Sequence, residues 1–179
     1  MKFNKTDIEG CYIITYDTFV DHRGYFGVPY NKEIFNHNVG YDVEFVQDNM
    51  SYSHLGTIRG LHFQTGKYEQ AKLVTCTSGR VLDVIVDIRK DSPSYGKVVE
   101  VELGATLNKQ VFVPRGCAHG FSALSDNTIF QYKVDNPYNK ESEGGIIYND
   151  PTLNIKWRVS GYLERISEKD LVLPTFLSL

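Results

Sequence analysis

The stretch Ala71-Lys72-Leu73-Val74-Thr75-Cys76-Thr77-Ser78-Gly79-Arg80-Val81-Leu82-Asp83-Val84-Ile85-Val86-Asp87-Ile88 reads as two strands turning back through Ser78-Gly79. A Ser-Gly pair between two β-rich runs is the chemistry of a hairpin turn. Side chains alternate across a strand. Leu82, Val84, Val86 and Ile88 therefore share one face, and Val81, Asp83, Ile85 and Asp87 share the other. The first is a core face. The second mixes aliphatics with carboxylates, and a strand in mid-sequence is expected to line a polar cavity with it. Outward from this pair, similar runs recur at Cys11–Tyr16, Tyr25–Tyr30, Val43–Gln47, Thr57–Phe63, Lys97–Leu103, Gln110–Val113, His119–Ala123 and Thr128–Val134. Gly, Pro, Asn, Asp and Ser separate them. Short strands at such spacing predict an all-β sandwich or barrel. Helical pattern is confined to two short pieces: two turns over Lys32–Asn38, and one turn over Ser167–Leu171 with Ser167 as N-cap and Asp170 at the capping-box position.

A chain of 179 residues predicts a single domain spanning 1–179. Its 22 acidic and 19 basic side chains leave a net charge of -3, which argues against a nucleic-acid partner. The longest apolar run, near Val81–Ile88, is broken by Asp83 and Asp87. A membrane span needs about 20 apolar residues, so none is expected. Met1–Asp7 lacks the apolar core of a signal peptide. Cys11, Cys76 and Cys117 are odd in number and widely spaced, with no CxxC pair. They are expected as buried, unreactive thiols in a cytoplasmic protein.

Polar residues concentrate in three strand-like segments: Thr57–Gln64, Gln70–Val74 and Pro114–Phe121. His62 lies in the first, near Arg59 and, in the second, Lys72. Cations disfavour the charged imidazole, so a histidine beside them stays neutral and can act as a base. Such a base needs a carboxylate on its other nitrogen. Asp83, Asp87 and Asp170 are candidates, and spacing does not choose among them. Strict alternation puts Arg59 and His62 on opposite faces. If both serve one site the strand must bulge, and Gly60 is the natural place. Double-stranded β-helix proteins of the cupin type often hold a metal through histidines on two hairpins, which His62 and His119 would supply here. The usual His-x-His pair is missing, since Gly60 and Gln64 flank His62, and Lys72 stands where a ligand carboxylate is expected. Two histidines and a cation suit a divalent ion poorly, so no metal is expected. Phosphate-cradling glycine motifs are absent too. Any phosphate would fall to Arg23, Arg59, Lys72 or Arg115.

Over about residues 8–175 the chain resembles the dTDP-4-dehydrorhamnose 3,5-epimerase family. The resemblance is carried by Asp21–Phe26, Phe45–Asn49, Ile58–Gln64, Ala71–Val74, Val84–Pro93, Pro114–Phe121, Asn149–Pro151 and Ser167–Asp170. It implies a cupin-like double-stranded β-helix (jelly roll) with a few short helices, a homodimer, and no metal or organic cofactor. It implies a nucleoside-diphosphate 4-keto-6-deoxy sugar as substrate, with epimerisation at C3 and C5. Its usual setting is rhamnose supply for a surface polysaccharide such as O-antigen.

By the same resemblance His62 is the base, Asp170 orients it, Lys72 lies by the C4 oxygen, and Tyr132 returns a proton from the opposite face of the sugar. Arg23 and Arg59 match residues near the diphosphate and sugar, and Gln47 and Asn49 match polar residues at the nucleotide and sugar. Phe19, Phe26 and Tyr138 match pocket aromatics. His119, paired with Asp83, matches a supporting histidine, and Glu143 the acid of a Glu-x-Gly stretch. Three positions depart from the family pattern. Val28 replaces an acid near the nucleotide base, leaving base specificity open; Cys117 and Tyr148 are packing changes. Three other readings stay open: a mono-epimerase or ketoisomerase on a related sugar, a non-catalytic sugar-binding cupin, and a metal-dependent cupin enzyme.

Overall fold

A computed structural model describes all 179 residues. Its strands are β1 (Lys2–Lys5), β2 (Tyr12–Thr15), β3 (Thr18–Asp21), β4 (Gly24–Gly27), β5 (Gln47–Ser53), β6 (Ile58–Gln64), β7 (Lys72–Ser78), β8 (Arg80–Asp87), β9 (Val98–Gly104), β10 (Lys109–Val113), β11 (Cys117–Ala123), β12 (Thr128–Val134) and β13 (Glu143–Gly145), with one helix, α1 (Lys32–Val39). They form a six-stranded sheet in the order β1-β2-β10-β7-β12-β5, a five-stranded sheet β13-β6-β11-β8-β9, and a separate β3-β4 ribbon. Successive strands from β5 onward mostly alternate between the two larger sheets, which gives the expected jelly roll.

That alternation corrects the reading of the central stretch. β7 pairs with β10 and β12, and β8 pairs with β9 and β11. The two are not a hairpin: Ser78-Gly79 is a corner that carries the chain from one sheet to the other. A tight turn with Gly79 at φ 74 serves either purpose. What differs is that each strand already has partners on both sides.

Three apolar clusters follow from the alternation. Val74, Cys76, Val81, Ile85, Val111, Val113, Phe121 and Phe130 fill part of the space between the sheets. Leu82, Val84 and Val86 face outward from the five-stranded sheet, where the later chain covers them with Ile146, Trp157 and Phe176. Phe112 and Leu73 face outward from the other sheet under Phe35 and Val39 of α1. Each such side chain fully buried contributes about 1.5–3 kcal/mol. Helix α1 is set as its sequence dictates, with the Asn31 side chain accepting from the Ile34 N–H and Gly40 closing it in the left-handed region. Cys11, Cys76 and Cys117 are free and buried, and burial pushes the first two up to about 12 and about 11.

The second face of β8 divides. Asp83 turns between the sheets, but Asp87 does not reach the cavity. Arg89, Ser92 and Ser94 donate to its carboxylate and fold the following loop around it. Burial raises Asp87, yet those donors win and hold it at about 2. The predicted strand over Val43–Gln47 is likewise displaced. Val43 and Phe45 pack beneath α1 as irregular chain, and pairing starts at Gln47. β5 is polar because the inward side chains Asn49 and Ser51 face space, not core. The short β1, β3 and β13 carry no alternation strong enough to read.

Candidate active site

The site begins with a defect in β6. His62 stands opposite His119, but Arg59 stands opposite Phe121, so Gly60 and Leu61 together face Gly120 alone. This is the bulge expected at Gly60. The Gly60–Leu61 peptide bond is cis and Gly60 has φ 125. A Cβ at Gly60 would lie 2.6 Å from the Gly120 Cα, and one at Gly120 would lie 2.7 Å from the Arg59 carbonyl. Only a glycine pair lets the two backbones approach so closely. The extra residue turns Arg59 and His62 toward one cleft.

That cleft opens between the two sheets. A cavity of about 390 Å³ is lined by Ser51, Arg59, His62, Lys72, His119, Phe121, Phe130, Tyr132, Arg165, Ser167, Lys169 and Asp170. A second lobe of about 320 Å³ shares His62, Lys72 and Tyr132 and adds Gln47, Asn49, Gln64, Tyr138 and Glu143. The lobes therefore meet at the three side chains best suited to proton transfer.

His62 Nε2 lies 2.8 Å from Asp170 Oδ1. With Nε2–H donating to the carboxylate, Nδ1 keeps a lone pair for a substrate proton. Burial pushes the Asp170 carboxyl up, but the His62 hydrogen bond and charge, with the Gly60 N–H and Ser167, outweigh it and leave the carboxyl below its usual range. The single turn expected at Ser167–Leu171 is a 3-10 turn over Asp170–Val172. Ser167 Oγ accepts from the Asp170 N–H as a cap should. The reciprocal half of the capping box is absent, because the Asp170 carboxylate is committed to His62 and the Gly60 N–H.

Lys72 enters from β7, on the facing sheet. It is buried, and its Nζ donates to the His62 carbonyl at 3.4 Å. Burial brings its ammonium down to about 8, against the opposing pull of the Asp83 charge. Tyr132, beside it on β12, is pushed up by burial and pulled back in part by Arg59, so its phenol holds its proton at neutral pH. His119 Nε2 lies 2.7 Å from Asp83 Oδ1, and its ring stacks beside Phe130. An imidazole with its carboxylate, a cation and a protonated phenol thus converge on one space. Such a set can take a proton from carbon, stabilise the oxyanion and return a proton elsewhere.

The sequence model of the dTDP-4-dehydrorhamnose 3,5-epimerase family matches residues 5–178. The chain belongs to that family. It is 48% identical over 171 residues to the dTDP-4-dehydrorhamnose 3,5-epimerase of Escherichia coli, covering 95% of this chain and 91% of that one. The crystal structure of the Elizabethkingia anophelis dTDP-4-dehydrorhamnose 3,5-epimerase superposes with a TM-score of 0.96 at 49% identity, over 99% of this chain and 97% of that one. The Legionella pneumophila epimerase, solved in complex with dTDP-4-keto-L-rhamnose, gives 0.93 at 38% identity, over 98% and 93%.

In this epimerase-family chain the other expected residues divide into two groups. Arg59, Gln47, Asn49, His119, Tyr138 and Glu143 line the cleft. Phe19, Arg23 and Phe26 lie on the β3-β4 ribbon, outside the cleft of their own chain. Arg23 pairs there with Asp21 at 2.6 Å. Arg115 is also remote, bound to Asp135 at 2.9 Å. Sequence reasoning missed Arg165, Lys169, Ser51 and Ser167 as lining residues. Their segments carry no strand pattern or are wholly polar; only the Ser167–Asp170 motif offered a signal. No three His, Cys, Asp or Glu side chains converge as metal ligands would. No helix is long and apolar enough to cross a membrane.

Proposed function

We propose that this chain converts dTDP-4-dehydro-6-deoxy-D-glucose to dTDP-4-dehydro-L-rhamnose by moving protons at C3 and C5. Both carbons flank the C4 carbonyl, so each C–H is acidified by it. His62 Nδ1 takes the proton, the electron pair moves to the C4 oxygen, and the Lys72 ammonium stabilises the enolate. Tyr132 then donates its phenolic proton to the opposite face of the same carbon; solvent restores the phenol and takes the proton from the His62 imidazolium before the second carbon reacts. Asp170 steadies the imidazolium in between. Arg59 and Arg165, cations with no carboxylate partner, suit the diphosphate. Gln47, Asn49, Tyr138 and Glu143 suit the nucleoside end, with His119 as a supporting residue. The observation that carries this reading is the convergence of the His62–Asp170 pair with Lys72 and Tyr132.

We place the enzyme in the cytoplasm, where buried free thiols persist, as a homodimer whose β3-β4 ribbon brings Phe19, Arg23 and Phe26 to the partner. The test is incubation with dTDP-4-dehydro-6-deoxy-D-glucose in heavy water. Deuterium at both C3 and C5 in a rhamno-configured product is expected. Label at one carbon would make it a mono-epimerase, and no label would leave a sugar-binding cupin or another nucleotide substrate, given Val28.

A further inference from the structure

Asp170 sits on a strap with few anchors. At its start the strap is tied to the five-stranded sheet by the Arg165 carbonyl, which accepts from Ile58, and at its end to the chain just beyond β13 by the Pro174 carbonyl, which accepts from Ile147. Between these, backbone hydrogen bonds are only local, from Asp170 and Leu171 to Ser167. Leu171 and Val172 are exposed. Apart from Asp170 itself, the tip of the strap is held to the sheet by Lys169, whose ammonium lies 2.5 Å from Glu143 Oε1.

The placement of Glu143 matters. It is on β13, the strand paired directly with β6, and Gly145 of β13 stands opposite His62. Adjacent strap residues are therefore fastened to adjacent strands: Lys169 to β13, Asp170 to β6. The other Glu143 oxygen, Oε2, accepts from the Tyr138 hydroxyl at 2.9 Å. A chain of contacts thus runs Tyr138–Glu143–Lys169, and through the backbone to Asp170 and His62.

From this geometry we infer that Lys169 and Glu143 are positioning residues, a clasp that sets the Asp170 carboxylate against the His62 ring and couples it to Tyr138. This rests on His62 being the base. A clasp of this kind acts on the chemical step, because a displacement of about 1 Å at the dyad can lower turnover about a hundredfold. A cation that only held the diphosphate would act on binding instead.

The test combines kinetics with an activity-free measurement: titration of the His62 imidazole by NMR in the full-length protein without substrate. Around that ring the other charged or titratable groups of the cleft are Arg59, Lys72, His119, Tyr132, Tyr138, Glu143, Arg165 and Lys169. In Lys169→Met, removal of the cation alone would raise the His62 titration by leaving Glu143 uncompensated, whereas a displaced Asp170 lowers it, and a net fall is expected. kcat falls about tenfold or more with KM nearly unchanged. Lys169→Arg restores both, and Glu143→Gln with Lys169→Met is no worse than either alone. A raised KM with an unmoved His62 titration would overturn the clasp and make Lys169 a substrate contact. An unchanged kcat and titration would overturn it outright. If instead His62→Asn retained turnover while Lys169→Met still moved the titration, the base assignment would fall and the clasp would stand.

Discussion

Lys72 is the residue where fold and function conflict. Its ammonium is taken from water into the space between the sheets, which costs stability, and burial lowers its pKa from 10.5 to about 8. Between those values the unfolded chain binds the extra proton, so this group makes stability rise with pH over that window. On the proposed mechanism activity runs the other way, since the enolate would need the charge. We expect kcat to decline as pH rises through about 8, read from a pH–rate profile, while unfolding in urea shows no parallel loss from this group. Lys72→Met should raise stability by about 1–3 kcal/mol and nearly abolish turnover. His62→Ala should also abolish turnover while nucleotide binding, measured by calorimetry, stays close to wild type. Tyr132→Phe should slow product formation more than loss of the substrate's C–H proton to solvent. Equal slowing of both would remove Tyr132 as the separate acid. At this scale the residues alone made His62 a candidate base but left Asp83, Asp87 and Asp170 open. The separation of 108 positions from His62 to Asp170 carries no distance information; the family resemblance supplied the choice, and the structure places that pair in contact.

The β6 bulge is the element on which the site depends, and it was legible from a contradiction. Arg59 and His62 cannot share a face in regular alternation, and glycine is the residue that resolves it. Gly120 completes the device from the facing strand. Its added methyl would meet backbone, the Arg59 carbonyl and the Gly60 Cα, and backbone cannot rotate away. Gly120→Ala is therefore expected to cost about 2–4 kcal/mol in urea denaturation. Turnover should drop even where the protein folds, because β6 and β11 must separate. Gly66→Ala is the contrasting case. That residue also has positive φ but open space around it, and about 1 kcal/mol is expected. Other elements were not legible. The Ser78-Gly79 turn says that the chain reverses, not which strands pair. β5 hides because its inward residues solvate a cavity, so the apolar alternation that announces a strand is missing.

At the scale of the molecule, the β3-β4 ribbon has no place in the core of its own chain. Phe19 pairs with Phe26 and Val20 with Tyr25 across it, and the four are 68, 66, 78 and 64% exposed. Side chains alternate, so apolar groups occupy both faces of a two-stranded ribbon. Such a ribbon is marginal alone in water, and an apolar patch of this kind marks an interaction surface. A second copy is the partner that the family resemblance implies, and it would also bring Arg23 to a cleft that lacks it. Composition shows none of this, because the ribbon's aromatic residues, Phe19 on β3 and Tyr25 and Phe26 on β4, read equally well as core. The expectation is a particle of twice the 20.4 kDa chain mass in sedimentation equilibrium. The double change Phe19→Ser and Phe26→Ser should yield a folded monomer, since neither ring packs in any of the three clusters. Its turnover separates two roles of the ribbon. A monomer with full activity would make the ribbon an assembly device alone. A monomer that keeps the His62 titration but binds the nucleotide sugar poorly would mean that each cleft is completed by the other chain.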